Sequence, residues 1–174
     1  MPAWQARLPM RATIAFLLVA CAVAWLALGQ SSPTSSSSGK DETIPVEASD
    51  AEMNAAIETA RKSIGDFWRQ FEDPDLGVDG FALKVRILDG ETVEHFWLIE
   101  IERSAFEFSG IINNEPNSVM TVKLGQRYVF KEADISDWLF RRNGKIVGNE
   151  TLRVLFKSMP PEEAAEYRAM LETP

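Results

Sequence analysis

The stretch Phe81-Ala82-Leu83-Lys84-Val85-Arg86-Ile87-Leu88-Asp89-Gly90-Glu91-Thr92-Val93-Glu94-His95-Phe96-Trp97-Leu98-Ile99 decides the fold. Phe81, Leu83, Val85 and Ile87 alternate with Ala82, Lys84 and Arg86, the period of a strand with one buried face. Asp89-Gly90 then supplies a two-residue turn into a second strand over 91–102, giving an antiparallel hairpin. With that turn Leu88 pairs with Glu91, which sets Lys84 opposite His95, Arg86 opposite Val93 and Leu83 opposite Phe96. Phe81, Leu83, Val85, Phe96 and Leu98 form the core face. Lys84, Arg86, Val93, His95, Trp97 and Ile99 form the other, a blend of charge and large apolar groups expected where a helix covers one end or a cleft opens.

Working upstream, Ser49 and Glu52 have capping-box spacing, and Met53, Ala56, Ile57, Ala60, Ile64, Phe67, Trp68 and Phe71 recur at three- and four-residue steps. One amphipathic helix is expected, ending before Asp73-Pro74 because the residue preceding proline is pushed out of the helical region. Its aromatic stripe is core packing rather than a cofactor box. Downstream, short strands fit 105–112, 119–124 and 127–131, with a turn at Pro116 and a break at Gly125. Asn143-Gly144 is the strongest short hairpin signal, joining 138–142 to 145–147. A short helix follows over 151–159, and Pro160-Pro161-Glu162-Glu163 opens a last one to Leu171. The expected class is α+β: an N-terminal amphipathic helix packed on an antiparallel, largely meander sheet of five to seven strands, with one or two C-terminal helices.

Before this domain stands an address. Arg7 and Arg11 precede a run over residues 12–28 that is apolar but for Thr13, and a serine tract follows from Ser31 to Ser38. Three readings stand for residues 1–29. Leu18-Val19-Ala20-Cys21 acts as a lipobox and Cys21 is acylated; or cleavage after Ala27-Leu28-Gly29 releases a soluble periplasmic protein; or the run stays uncut as a membrane anchor, at the bottom of the roughly 17–25 residues needed to span a bilayer. All three put the domain outside the cytoplasm, because the arginines hold the N-terminus inside. Residues 30–47 form a Ser-rich flexible tether and 48–174 a single domain.

Composition removes several function classes. All 26 acidic residues but only 15 of the 18 basic ones lie within 41–174, a net of −11, so nucleic acid is not an expected partner. Cys21 is the sole cysteine, which leaves no intrachain disulfide and no thiol for catalysis or metal binding in the domain. No Gly-x-Ser-x-Gly, His-Glu-x-x-His or phosphate-cradling glycine loop occurs. Asp134, Asp137 and Glu132 match no known calcium-loop spacing, so neither metal nor cofactor is expected.

Phe67-Trp68, Glu94-His95-Phe96-Trp97, Gly110 with Asn114 and Pro116, Gly125-Gln126, Ile135-Ser136-Asp137-Trp138 and Gly148 with Thr151-Leu152-Arg153 occur in an order and spacing that resemble the bacterial domain of unknown function 2314 family, the YegJ-like proteins. The resemblance covers about residues 48–156, leaving out the last helix and the N-terminal segment. It implies no activity, ligand or catalytic residue.

Function is therefore argued from side chains. A non-catalytic interaction or accessory domain would meet a partner in the bacterial envelope through an aromatic surface including Trp97 and Trp138, since tryptophan is enriched at binding hot spots. The bland alternative puts each tryptophan in the core. An enzyme would instead need Lys84, Glu94, His95 and Asp137 to converge in one cleft, with His95 as general base oriented by Asp137 or Glu94. The ordinary reading of His95 is a packed strand residue, and of Asp137 a turn or cap.

Overall fold

The structure is a computed structural model that describes residues 46–104 and 107–173. The apolar run over 12–28, Cys21 and the serine tract lie outside the described residues. The elements are α1 (Val46–Lys62), α2 (Ile64–Glu72), β1 (Val78–Asp89), β2 (Thr92–Arg103), β3 (Phe108–Ile112), β4 (Arg127–Phe130), a 3₁₀ turn (Glu132–Asp134), β5 (Ile135–Arg142), β6 (Lys145–Gly148), α3 (Glu150–Leu155) and α4 (Pro161–Met170). Six strands form one antiparallel sheet in the order β4-β3-β2-β1-β5-β6. The α+β class and its largely meander sheet are as the patterning predicts.

The single helix expected over 49–71 is two. Ser63 breaks it, with ψ at 4° and its hydroxyl donating back to the carbonyls of Thr59 and Ala60 at 3.0 and 3.2 Å, a competing bond that bends helices. Helix α1 also begins at Val46, so Ser49 sits inside it rather than capping it. The strand expected over 119–124 is a loop. Its backbone finds side-chain acceptors instead of a ladder: the amides of Asn117, Ser118 and Val119 go to Glu94, and that of Met120 to Asp89 Oδ2 at 2.9 Å.

The hairpin turn is offset from its expected place. Asp89 pairs with Thr92, so Gly90 and Glu91 are the central residues, and Gly90 alone takes positive φ, at 61°. That is the requirement of a type II′ turn with glycine first. The pairing slips by two residues: Lys84 lies opposite Trp97, Arg86 opposite His95 and Val85 opposite Phe96. A slip of two preserves which face each side chain occupies, so the core face stands as expected. At Asn143-Gly144 the expected register holds, with Arg142 opposite Lys145.

The core lies between α1–α2 and the inner face of the sheet. Phe67, Leu83, Val85, Phe96, Leu98, Ile112, Ile135 and Phe140 are fully enclosed, and burial of this kind stabilises by about 1.5–3 kcal/mol per large side chain. Phe67 meets Trp68, Phe71, Phe81 and Trp138 at ring-centroid distances of 5.0–6.1 Å.

The sheet is strongly coiled. Only residues 131–134 join β4 to β5, although β3, β2 and β1 lie between those strands in sheet order. Flat strands about 4.8 Å apart would separate them by about 19 Å, beyond the reach of a link that includes a 3₁₀ turn. Register shifts at Asp79/Ala82 and Lys84/Val85 against β5, and at Ile99/Glu102 against β3, provide the extra twist. On the far side Leu171 bridges to Ile146, and the Glu172 amide donates to the Ile146 carbonyl at 2.7 Å, so the chain after α4 covers the outer edge of β6.

Candidate functional site

The second sheet face gathers three of the four residues considered for chemistry. The β1–β5 register sets Lys84 directly opposite Asp137. Strand β6 stops at Gly148, and the chain turns there into α3 beside the first half of β5. A Cβ on Gly148 would come within 2.4 Å of the Trp138 carbonyl oxygen, and φ is 83°, so only glycine allows this turn. Asn149 follows in the left-handed region and its amide donates to that same carbonyl at 2.9 Å. Thr151 is thereby delivered to Asp137.

Asp137 is completely buried, and its carboxylate accepts four bonds. Oδ2 takes the Thr151 amide at 2.8 Å and the Thr151 hydroxyl at 2.7 Å; Oδ1 takes the amides of Trp138 at 2.8 Å and Glu150 at 3.2 Å. Four donors fill the roughly four acceptor sites of a carboxylate, leaving none to take a proton from a substrate. Lys84 Nζ donates to Thr151 Oγ1 at 2.9 Å and lies 5.4 Å from the centroid of the Trp97 ring. Burial pushes its pKa down, while the charge of Asp137 pulls it back up. The trio joins α3 to the middle of the sheet.

His95 stands beside this trio, half-buried. Its Nδ1 is 2.7 Å from Ser136 Oγ, and that hydroxyl donates to the Lys84 carbonyl at 3.2 Å. With the hydroxyl proton so used, Nδ1 carries the hydrogen and Nε2 is the acceptor. Burial first, then the charges of Lys84, Arg86 and Arg61, hold the imidazole pKa down at about 4. At neutral pH His95 is uncharged.

Glu94 does not join them. It lies on the inner-face side, opposite Ile87, and its carboxylate receives the amides of Asn117, Ser118 and Val119 at 2.9–3.1 Å. Its desolvation raises the pKa, but the three backbone donors outweigh that and the net shift is downward. The expected four-residue cleft is corrected on this point: Glu94 anchors the 113–126 loop.

Trp138 is corrected too. It is 4% exposed, stacks on Phe140 at 5.7 Å and donates its indole N–H to the Ala60 carbonyl at 2.8 Å, so it belongs to the core and presents no surface. Trp97 is half-buried on the second face, as the alternation requires. Thr151 and Ser136 carry much of the hydrogen bonding, yet only a polar pair within an apolar strand, Ser136-Asp137, signals them in the sequence. Among the described residues no three histidine, cysteine, aspartate or glutamate side chains are grouped to share a metal ion, and no helix is long and apolar enough to cross a membrane.

Comparison with known proteins identifies the family. A family model described as an uncharacterized protein conserved in bacteria matches residues 50–172, extending the likeness past position 156 and through α4. The uncharacterized protein YegJ of Escherichia coli (strain K12) is 41% identical over 119 residues, covering 68% of this chain and 76% of that protein. A protein of Neisseria meningitidis serogroup B (strain ATCC BAA-335 / MC58) whose name includes "ankyrin repeat protein" is 34% identical over 132 residues, 71% of this chain but about half, 52%, of that protein. No solved structure matches. The chain belongs to the bacterial domain of unknown function 2314 family.

Proposed function

We propose that this protein is a non-catalytic interaction domain, held by its N-terminal segment on the outer side of a bacterial membrane, and that it engages an envelope partner through the second sheet face. One observation carries this reading. Arg86, Leu88, Val93 and Val129 are exposed on that face beside half-buried His95, Trp97, Ile99 and Ile111, while the charged groups beneath are already bonded to one another. A histidine base needs a carboxylate to orient it; here Asp137 has no free acceptor site, Glu94 points away, and His95 is held through Nδ1 by the Ser136 hydroxyl instead. The apolar run over 12–28 and its serine tract support the extracytoplasmic address.

The test has two parts. The mass and membrane fractionation of the mature protein distinguish an acylated start at Cys21, a soluble start at Gln30 and an uncut chain, and a soluble cytoplasmic full-length protein would overturn the address. Trp97→Ala in a still-folded protein is expected to lose partners that crosslink to the native chain in cells. Retention of every partner would count against this face.

A further inference from the structure

We propose that Arg86, exposed on the second sheet face beside His95, is a docking point for a carboxylate on an apolar-flanked peptide segment of a partner protein. The inference rests on the reading of the second face as an interaction surface and names the chemistry that face would take. Arg86 is exposed, and among the nine described arginines it alone has no ion pair, hydrogen bond or ring contact. The others are occupied: Arg61 on the carbonyls of Ile135 and Ala133, Arg69 on Asp66, Arg103 on Glu72, Arg127 on Glu102, Arg141 on Asp79, Arg142 on Glu172, Arg153 on Glu150 and Arg168 over Phe156. A free guanidinium in a domain of net −11 has acids to choose from and, among the described residues, pairs with none.

Its neighbourhood defines the ligand. A guanidinium fork binds a carboxylate through two parallel N–H bonds. His95 lies directly opposite Arg86 and is held by Ser136 through Nδ1. Asp137, the acid paired with Lys84 on the next strand, is enclosed by Thr151, Glu150 and Trp138 and cannot neutralise Arg86 from there. Lys84 is committed to Thr151, so one positive charge is left over, which suits a monoanionic carboxylate better than a phosphate dianion. The next cross-strand pair along the hairpin, Leu88 and Val93, is 53% and 47% exposed and supplies apolar contact beside the charge. Net repulsion by the domain means that such a segment is held by close contact and not drawn in from a distance.

The full chain would be titrated with the peptide acetyl-Leu-Glu-Leu-amide and with its Gln counterpart, reading the His95 ring proton and the Trp97 indole N–H by NMR. The Glu peptide is expected to shift both signals saturably, and the Gln peptide to bind at least tenfold more weakly. Arg86→Gln, a surface change that should leave the melting temperature unaltered, is expected to bring the Glu peptide down to the Gln level. Equal binding of the two peptides, or undiminished binding by Arg86→Gln, would overturn the proposal. So would inorganic phosphate shifting the same signals at lower concentration than the peptide. If Trp97→Ala loses cellular partners while Arg86→Gln keeps them, the interaction surface stands and the carboxylate assignment falls; if both variants keep every partner, both fall.

Discussion

Lys84 and Asp137 face each other across the β1–β5 ladder, and the hydroxyl of Thr151 stands between their charged groups, accepting from one and donating to the other. Breaking a buried charge arrangement by removing one partner leaves the other uncompensated. Asp137→Asn is therefore expected to destabilise by about 3–5 kcal/mol, and Thr151→Val, which keeps shape but removes the bridge, by about 1–3 kcal/mol. Urea denaturation measures both. The two losses should fall well short of adding in the double variant, because both act on one network.

His95 gives a pH signature. Its folded pKa, about 4, lies below the ordinary 6.5, so between those values the unfolded chain binds more protons than the native one. Stability is expected to fall as pH drops from 6.5 towards 4. His95→Gln should flatten that part of the urea-midpoint profile, and an NMR titration of the imidazole should give the depressed value directly. An imidazole titrating near 6.5 would contradict the half-buried placement beside Lys84, Arg86 and Arg61.

Glu94 acts at lower pH. Its carboxylate holds the amides of Asn117, Ser118 and Val119, and its pKa is lowered in the fold, so its contribution is present above the unfolded value of 4.5 and lost as pH falls through the folded one. Glu94→Ala is expected to cost about 1–2 kcal/mol and to raise hydrogen exchange at those three amides at neutral pH. Formate added to the variant should restore part of the protection by occupying the vacated donors.

Two glycines with similar φ separate space from backbone strain. Gly125 has φ 78° and nothing within 4 Å of an added Cβ, whereas Gly148 has φ 83° and the Trp138 carbonyl 2.4 Å away. Gly125→Ala should cost about 1–2 kcal/mol, the left-handed penalty alone. Gly148→Ala should exceed that by about 1–3 kcal/mol from overpacking, and thermal denaturation would rank them.

The elements legible in the sequence were those encoded locally. Alternation assigned each hairpin side chain to its face, and Asn143-Gly144 fixed the β5–β6 register, because both signals depend on neighbours along the chain. The β1–β2 register was not legible, since Asp89-Gly90 and Gly90-Glu91 both make acceptable two-residue turns and only the packing of Val85 against Phe96 decides between them. The 119–124 segment has strand composition, yet its first two amides are claimed by Glu94 and Asp89, acids 25 and 31 residues earlier. The candidate site was partly legible: Lys84, His95 and Asp137 stand out by type. Trp138 was not, for its aromatic side chain fits a surface or a core equally until Ala60 offers its carbonyl.

The strand-like segment at Leu171 and Glu172 gives the sheet a direction of growth. Because it covers β6, β4 is the sheet's uncovered edge among the described residues, and any strand added there terminates a stack rather than extending one. Deleting the chain from Leu171 onward would expose a second edge opposite the first and turn an end-cap into a link. Two open edges per molecule allow head-to-tail polymerisation, so the truncated protein is expected to scatter light with a concentration-dependent lag under conditions where the native chain stays dispersed.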